Sequence, residues 1–167
     1  MTHHEIMQRT IDLSRERMRQ ENAAAFAAVI VRNGEIVGEG WNRALQDFDP
    51  TAHGEVMAIR DACRKLESLD LSDCELYTSC EPCPLCVSAM YYAGIKRMYY
   101  AASLEQSAQV APYPDSRFLC EELNRPVRER AMPATQLMAE EAVAVLTEWR
   151  DRPEFLLHFP HHQGRID

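Results

Sequence analysis

The sequence predicts an α/β fold in which a mixed β-sheet is covered by helices on both faces, and three observations point to it. Asn33-Gly34 separates two runs with strand character, residues 23–32 and 35–41, and Asn-Gly is a strong two-residue hairpin signal, so these runs predict an antiparallel pair. Residues 74–78, 84–93 and 95–100 read in turn as strand, helix and strand, an order that implies a parallel crossover. Amphipathic helical stretches stand before and between these units and supply the covering layers.

In chain order, residues 4–19 predict a helix with Met7, Ile11 and Met18 on one face. The first hairpin strand is small-residue and β-branched, and the second carries Ile36 and Val37. A helix is expected from Thr51 as a cap, with Val56, Ile59, Cys63 and Leu66 on one side. The helix at 84–93 begins with Pro84, placed where its missing N–H costs nothing. The longest stretch of irregular appearance is 109–117; Leu119 and Leu123 then suggest a short helix and 133–138 a further strand. Ala142, Val145, Leu146 and Trp149 mark a closing helix over 139–150. The 167 residues hold no Gly/Ser-rich linker, repeat or low-complexity run, so 1–167 is expected to form one domain, with 151–167 as a tail that is mobile or closes over the active site.

No apolar run approaches the roughly 18 residues that span a bilayer, and Met-Thr-His-His-Glu is too polar for a signal peptide, which predicts a cytoplasmic protein without membrane association. Its six cysteines then read as thiols or metal ligands rather than a disulfide frame. A net charge of −8, with Arg64-Lys65 and Lys96-Arg97 as the only adjacent basic pairs, disfavours a nucleic-acid partner. His3 and His4 lack a spacing partner and read as solvated residues.

Two segments carry the chemistry: Thr51-Ala52-His53-Gly54-Glu55 and Glu81-Pro82-Cys83-Pro84-Leu85-Cys86. Each opens a helix, where free N–H groups and the helix dipole favour thiolates. One imidazole and two thiols, His53, Cys83 and Cys86, make three metal ligands, the count of a catalytic zinc site that keeps a position for water. Zinc lowers the pKa of such a water towards roughly 7. Glu55, beside the ligand histidine, is suited to take the water's proton and deliver it to a substrate. H-x-E followed by P-C-x-x-C is the pattern of zinc deaminases.

Competing readings fall on the same residues. A zinc ribbon would need a second cysteine pair, and Cys74 and Cys80 lack the spacing; a redox pair would leave His53-Gly54-Glu55 without a purpose. Cys63 and Cys74 read as small core residues, Cys80 as a neighbour of the ligands, and Cys120 has no context. Tyr91, Tyr92, Tyr99 and Tyr100 suit core or interface packing, or stacking on a planar ring.

From residue 25 to 102 the chain resembles the cytidine-deaminase-like superfamily, and Leu76-Tyr-Thr-Ser-Cys-Glu-Pro-Cys-Pro-Leu-Cys-Val-Ser-Ala-Met-Tyr-Tyr92 looks most similar to its bacterial guanine deaminase branch. The likeness continues more weakly from Pro114-Asp115-Ser116 to Trp149. It implies a three-layer α/β/α fold with a five-stranded sheet, a homodimer and one zinc ion per chain. It also implies that Asn42 binds the purine, that Phe26 stacks on the ring, that Asp115 binds substrate or shuttles a proton, and that Tyr92 lies at the substrate. Departures from the family pattern are Ala25-Phe26-Ala27 for Pro-Phe-Gly, Gly54 for Ala, Tyr92 for Trp, and a tail without the aromatic ending. They leave the metal residues intact and bear on the substrate.

The resulting expectation is hydrolytic deamination of a free nucleobase, guanine to xanthine and ammonia. The alternatives are cytosine, a pterin, an aminotriazine or tRNA adenosine as substrate, or a zinc-stabilised interaction module without catalysis, against which the retained Glu55 argues.

Overall fold

A computed structural model describes residues 1–111, 116–132 and 134–158. The order is α1 (His3–Glu21), β1 (Ala27–Arg32), β2 (Glu35–Trp41), α2 (Ala44–Asp47), α3 (Gly54–Leu66), β3 (Cys74–Cys80), α4 (Pro84–Tyr92), β4 (Arg97–Ala102), α5 (Leu104–Val110), α6 (Arg117–Asn124) and α7 (Ala139–Arg150), with 3₁₀ turns at Val127–Glu129 and Phe155–His158. The chain divides into two compact units, Met1–Asp115 and Ser116–Asp167.

The first unit is built on a mixed sheet of order β2-β1-β3-β4, with β1 antiparallel to both neighbours and β3 parallel to β4. The hairpin turns at Asn33-Gly34, both residues at positive φ (52° and 79°), as a type I′ turn requires. Alternation of side chains along β1 assigns its two faces. Ala28 and Ile30 pack with Ala58, Ala62, Leu76 and Met90, which puts α3 and α4 on one side. Val29 and Val31 pack with Ile6, Leu13 and Tyr77, which puts α1 on the other. The unit is therefore three-layered.

Several expectations shift. In α1 the sheet-facing residues are Ile6, Thr10, Leu13 and Ser14, with Met7 beside them, whereas Met18 is exposed. The helix is rotated from the expected phase so that Ile6 and Leu13 pack on Val29, Val31 and Tyr77. A capping box at Thr2 and Glu5 starts the helix. His3 is no bystander, since its Nδ1 lies 2.5 Å from the Tyr77 hydroxyl. Thr51 does not cap α3; its hydroxyl bonds Asp49 and His53 holds the cap position. α5 starts with a Ser103–Gln106 capping box ahead of the stretch read as irregular and runs two residues into it, to Val110.

In the second unit α6 and α7 form as expected, with Val143, Val145 and Leu146 exposed. Trp149 packs edge-on against Phe155 at 4.9 Å. Residues 134–138 form no strand and are exposed, because an extended segment becomes a strand only when a ladder pairs its backbone. Among the described residues the sheet thus has four strands. Of the expected tail, 159–167 lies outside the described residues, as does Asp115. No helix among the described residues is long and apolar enough to cross a membrane.

Leu13→Ala removes a fully buried side chain of the α1 layer and should cost about 2–5 kcal/mol. Urea unfolding should show a lower midpoint at similar slope, while Leu45→Ala on the exposed face of α2 should stay within about 0.5 kcal/mol of the parent.

Candidate active site

α3 and α4 start close together, and each starts on a residue that does not cap its helix. His53 (φ −72°, ψ 155°) and Cys83 (φ −73°, ψ 167°) occupy the N-cap positions with extended backbones, and neither side chain makes a capping hydrogen bond. Ser, Thr, Asp or Asn would normally stand there. The two side chains turn instead towards each other and towards Cys86, one turn into α4.

His53 Nδ1 lies 3.5 Å from Cys83 Sγ and 3.5 Å from Cys86 Sγ, and the two sulfurs are 3.7 Å apart. For zinc with Zn–S of about 2.3 Å and Zn–N of about 2.0–2.1 Å at tetrahedral angles, geometry requires separations of about 3.6 Å for S and N and about 3.8 Å for the sulfurs. The donor set therefore fits zinc in spacing as well as in kind. Among the described residues these three form the one group with metal-site spacing. Cys80, buried at the end of β3, is not part of it.

Glu55 lies in the first turn of α3 and is buried. Its Oε2 accepts from Cys86 Sγ at 3.2 Å, and its Oε1 accepts from the Thr78 hydroxyl at 3.0 Å. Burial pushes its carboxyl above the ordinary range. A carboxylate that stands against the donors without being one of them, and that is prepared to hold a proton, is equipped for proton transfer. Within the donor set, contact with the Cys86 thiol and then with His53 brings Cys83 down to about 4, and Cys83 in turn pushes His53 and Cys86 up. Cys83 is thus a ready thiolate. Cys74, in the core, is pushed up by burial to about 12 and is inert by comparison.

The other site residues from the sequence are placed as follows. Phe26 and Asn42 meet at the ends of β1 and β2, where Asn42 N–H donates to the Phe26 carbonyl at 2.9 Å. Ala27 and Phe26 backbone atoms lie 3.1 Å from where a side chain on Gly54 would begin, so this corner adjoins the start of α3. The Asn42 side-chain oxygen accepts from Ala44 N–H at 3.2 Å, which leaves the amide N–H₂ as its donor face. Tyr92 ends α4 and is 86% exposed. Thr78 is the site residue missed in the sequence. The signal was available: Leu76, Thr78 and Cys80 share one face of β3 and all are buried, so a hydroxyl at a core-facing position needed a partner.

Cys83→Ser should abolish stoichiometric zinc in the purified protein, because it replaces a thiolate donor with a weaker one. Cys80→Ser should keep about one zinc per chain. Metal analysis by mass spectrometry distinguishes the two thiols, and zinc retained by Cys83→Ser would overturn the ligand set.

The family profile for the cytidine and deoxycytidylate deaminase zinc-binding region matches residues 1–102. The chain is 41% identical to guanine deaminase of Bacillus subtilis over 151 residues, covering 90% of this chain and 96% of that one. The crystal structure of the Bacillus subtilis enzyme aligns over 91% of this chain and 96% of its own, with a TM-score of 0.83 at 39% identity. A guanine deaminase from Nitrosomonas europaea aligns over 88% of this chain and 84% of its own, with a TM-score of 0.62 at 26% identity. The tRNA-specific adenosine deaminase of Aquifex aeolicus is 37% identical over 83 residues, half of this chain and 55% of that one. With the profile matched over well more than half its length and a relative matched nearly end to end, the chain belongs to the cytidine and deoxycytidylate deaminase zinc-binding family.

Proposed function

We propose that the protein is a zinc-dependent hydrolase that converts guanine to xanthine and ammonia. The observation that carries deamination is Glu55, a buried carboxylate 3.2 Å from Cys86 Sγ yet outside the three-donor set. His53, Cys83 and Cys86 would hold the zinc, which when bound would lower the pKa of a water in its fourth position towards roughly 7. Glu55 would take one proton of the attacking water and deliver it to the ring nitrogen beside the amino-bearing carbon, then take the proton of the new hydroxyl on that carbon and pass it to the departing amine, so that the C–N bond breaks as the carbonyl forms.

Guanine is favoured by the likeness to guanine deaminase along 90% of the chain, against half for the tRNA adenosine deaminase. The net charge of −8 opposes a polyanionic substrate. Asn42, with its oxygen engaged by Ala44, can donate to an acceptor of the purine, and Asp115 is proposed to accept from a ring or amine N–H. An unpaired buried group facing the wrong base would cost about 1–3 kcal/mol, roughly ten- to a hundredfold. Half-buried Phe26 is proposed to stack on the ring, and Tyr92 to border the substrate.

The likeness to a single relative along 90% of the chain supports reading 1–167 as one deaminase domain. A fifth strand is proposed along β4, an edge of the sheet. Exposed Met98 and Tyr100 on β4 and exposed Tyr91 on α4 support a homodimer. The six free thiols suit a cytoplasmic setting.

Glu55→Gln should retain zinc and fold but lose at least about 10²-fold in turnover, since the amide cannot carry the proton; near-parental turnover would remove Glu55 from the mechanism. On one preparation, kcat/KM for guanine should exceed that for cytosine, a pterin, ammeline and adenosine in tRNA. A preference above about tenfold for any of these would reject guanine as substrate while leaving the deaminase standing.

A further inference from the structure

We propose that Thr78 is a positioning residue for Glu55, its hydroxyl fixing which carboxylate oxygen faces the donor set. The inference rests on the reading of Glu55 as proton carrier. Thr78 lies in β3, paired with Ala28 of β1 on one side and Tyr100 of β4 on the other. Its backbone is held by a ladder on each edge, its β-branched side chain has a restricted χ1, and it is almost wholly buried. The hydroxyl is thus a fixed point.

It has one proton and two acceptors in reach, Glu55 Oε1 at 3.0 Å and the Ala27 carbonyl at 3.4 Å. The shorter contact is to a carboxylate, the stronger class of acceptor. Glu55 has three rotatable side-chain bonds; its own backbone N–H and the Cys86 thiol also reach the carboxylate, and of its partners Thr78 is the one fixed from the sheet side. Anchoring Oε1 on Thr78 leaves Oε2 as the oxygen turned to the cysteine side, where it stands 3.2 Å from Cys86 Sγ. Oε2 is then the atom that carries the proton. A carboxylate free to rotate would spend part of its time misaligned, and misplacement on the scale of 1 Å costs up to about 10²-fold in rate.

Thr78→Val keeps the shape and removes the hydroxyl; Thr78→Ser keeps the hydroxyl and removes the methyl. Thr78→Val should hold about one zinc per chain by metal analysis and lower kcat for guanine about ten- to a hundredfold, with KM within about twofold. Thr78→Ser should return kcat to within about threefold of the parent. In a Glu55→Gln background, Thr78→Val should lower the residual rate by less than about twofold, because its effect passes through the missing carboxylate. The proposal is overturned if Thr78→Val turns over within twofold of the parent, if Thr78→Ser is as slow as Thr78→Val, or if Thr78→Val slows the Glu55→Gln protein by its full factor. If Thr78→Val loses zinc, Thr78→Ala enters the same cycle and is judged by the same limits. An active Glu55→Gln protein would overturn the proton-carrier reading instead, which separates the two failures.

Discussion

A methyl group on residue 40 would stand 2.1 Å from the Ala58 backbone nitrogen and 2.4 Å from the Gly54 carbonyl oxygen, and one on residue 38 would stand 2.7 Å from Ala62 Cβ. Helix α3 therefore lies directly on the backbone of β2, closer than any side chain permits, and only glycine at both positions allows it. This contact sets the height of α3 above the sheet. From that height follow the reach of Glu55 down to Thr78 on β3 and the distance from His53 to the cysteines of α4. Gly54 extends the same constraint to its other side, where Phe26 and Ala27 pass within 3.1 Å of its missing side chain. The resemblance-based departure at this position, Gly for Ala, thus belongs with the packing of β1 against the start of α3.

The site is assembled at a local cost. Both helix starts give up side-chain caps worth about 1 kcal/mol each, and the Glu55 carboxyl is buried, which disfavours its charged form. Elsewhere capping boxes start α1 and α5, and proline stands in the first turn of α4. α2, α6 and α7 also start without a side-chain cap, but at His53, Cys83 and Glu55 such departures converge on one group of side chains, as a functional constraint requires. Charge follows the same division, since the thiolate character of Cys83 arises within the site while the buried Cys74 thiol stays protonated.

Much of this was legible beforehand because spacing survives folding. H-x-E and C-x-x-C sit at helix starts, so the donor set could be read without knowing the sheet, and the Asn33-Gly34 hairpin and the crossover through α4 placed two of the three strand pairings, β1 with β2 and β3 with β4, but not β1 with β3. The phase of α1 was not legible, since Met7, Ile11 and Met18 form as good a stripe as the buried Ile6, Thr10 and Leu13, and packing against Tyr77 and Val29 decides between them. The strand expected at 133–138 failed for a similar reason: extended propensity does not supply a pairing partner. Thr78 escaped notice because its partner is 23 residues away and only the fold brings them together.

The central claim is a three-donor centre of two sulfurs and one nitrogen that keeps a fourth position for the attacking water. X-ray absorption at the zinc edge of the purified protein measures that directly. The account predicts two sulfurs at about 2.3 Å and two lighter donors at about 2.0–2.1 Å per zinc. Four sulfurs would make it a closed structural site, and a shell with one sulfur or none would remove Cys83 and Cys86 as the pair that holds the metal.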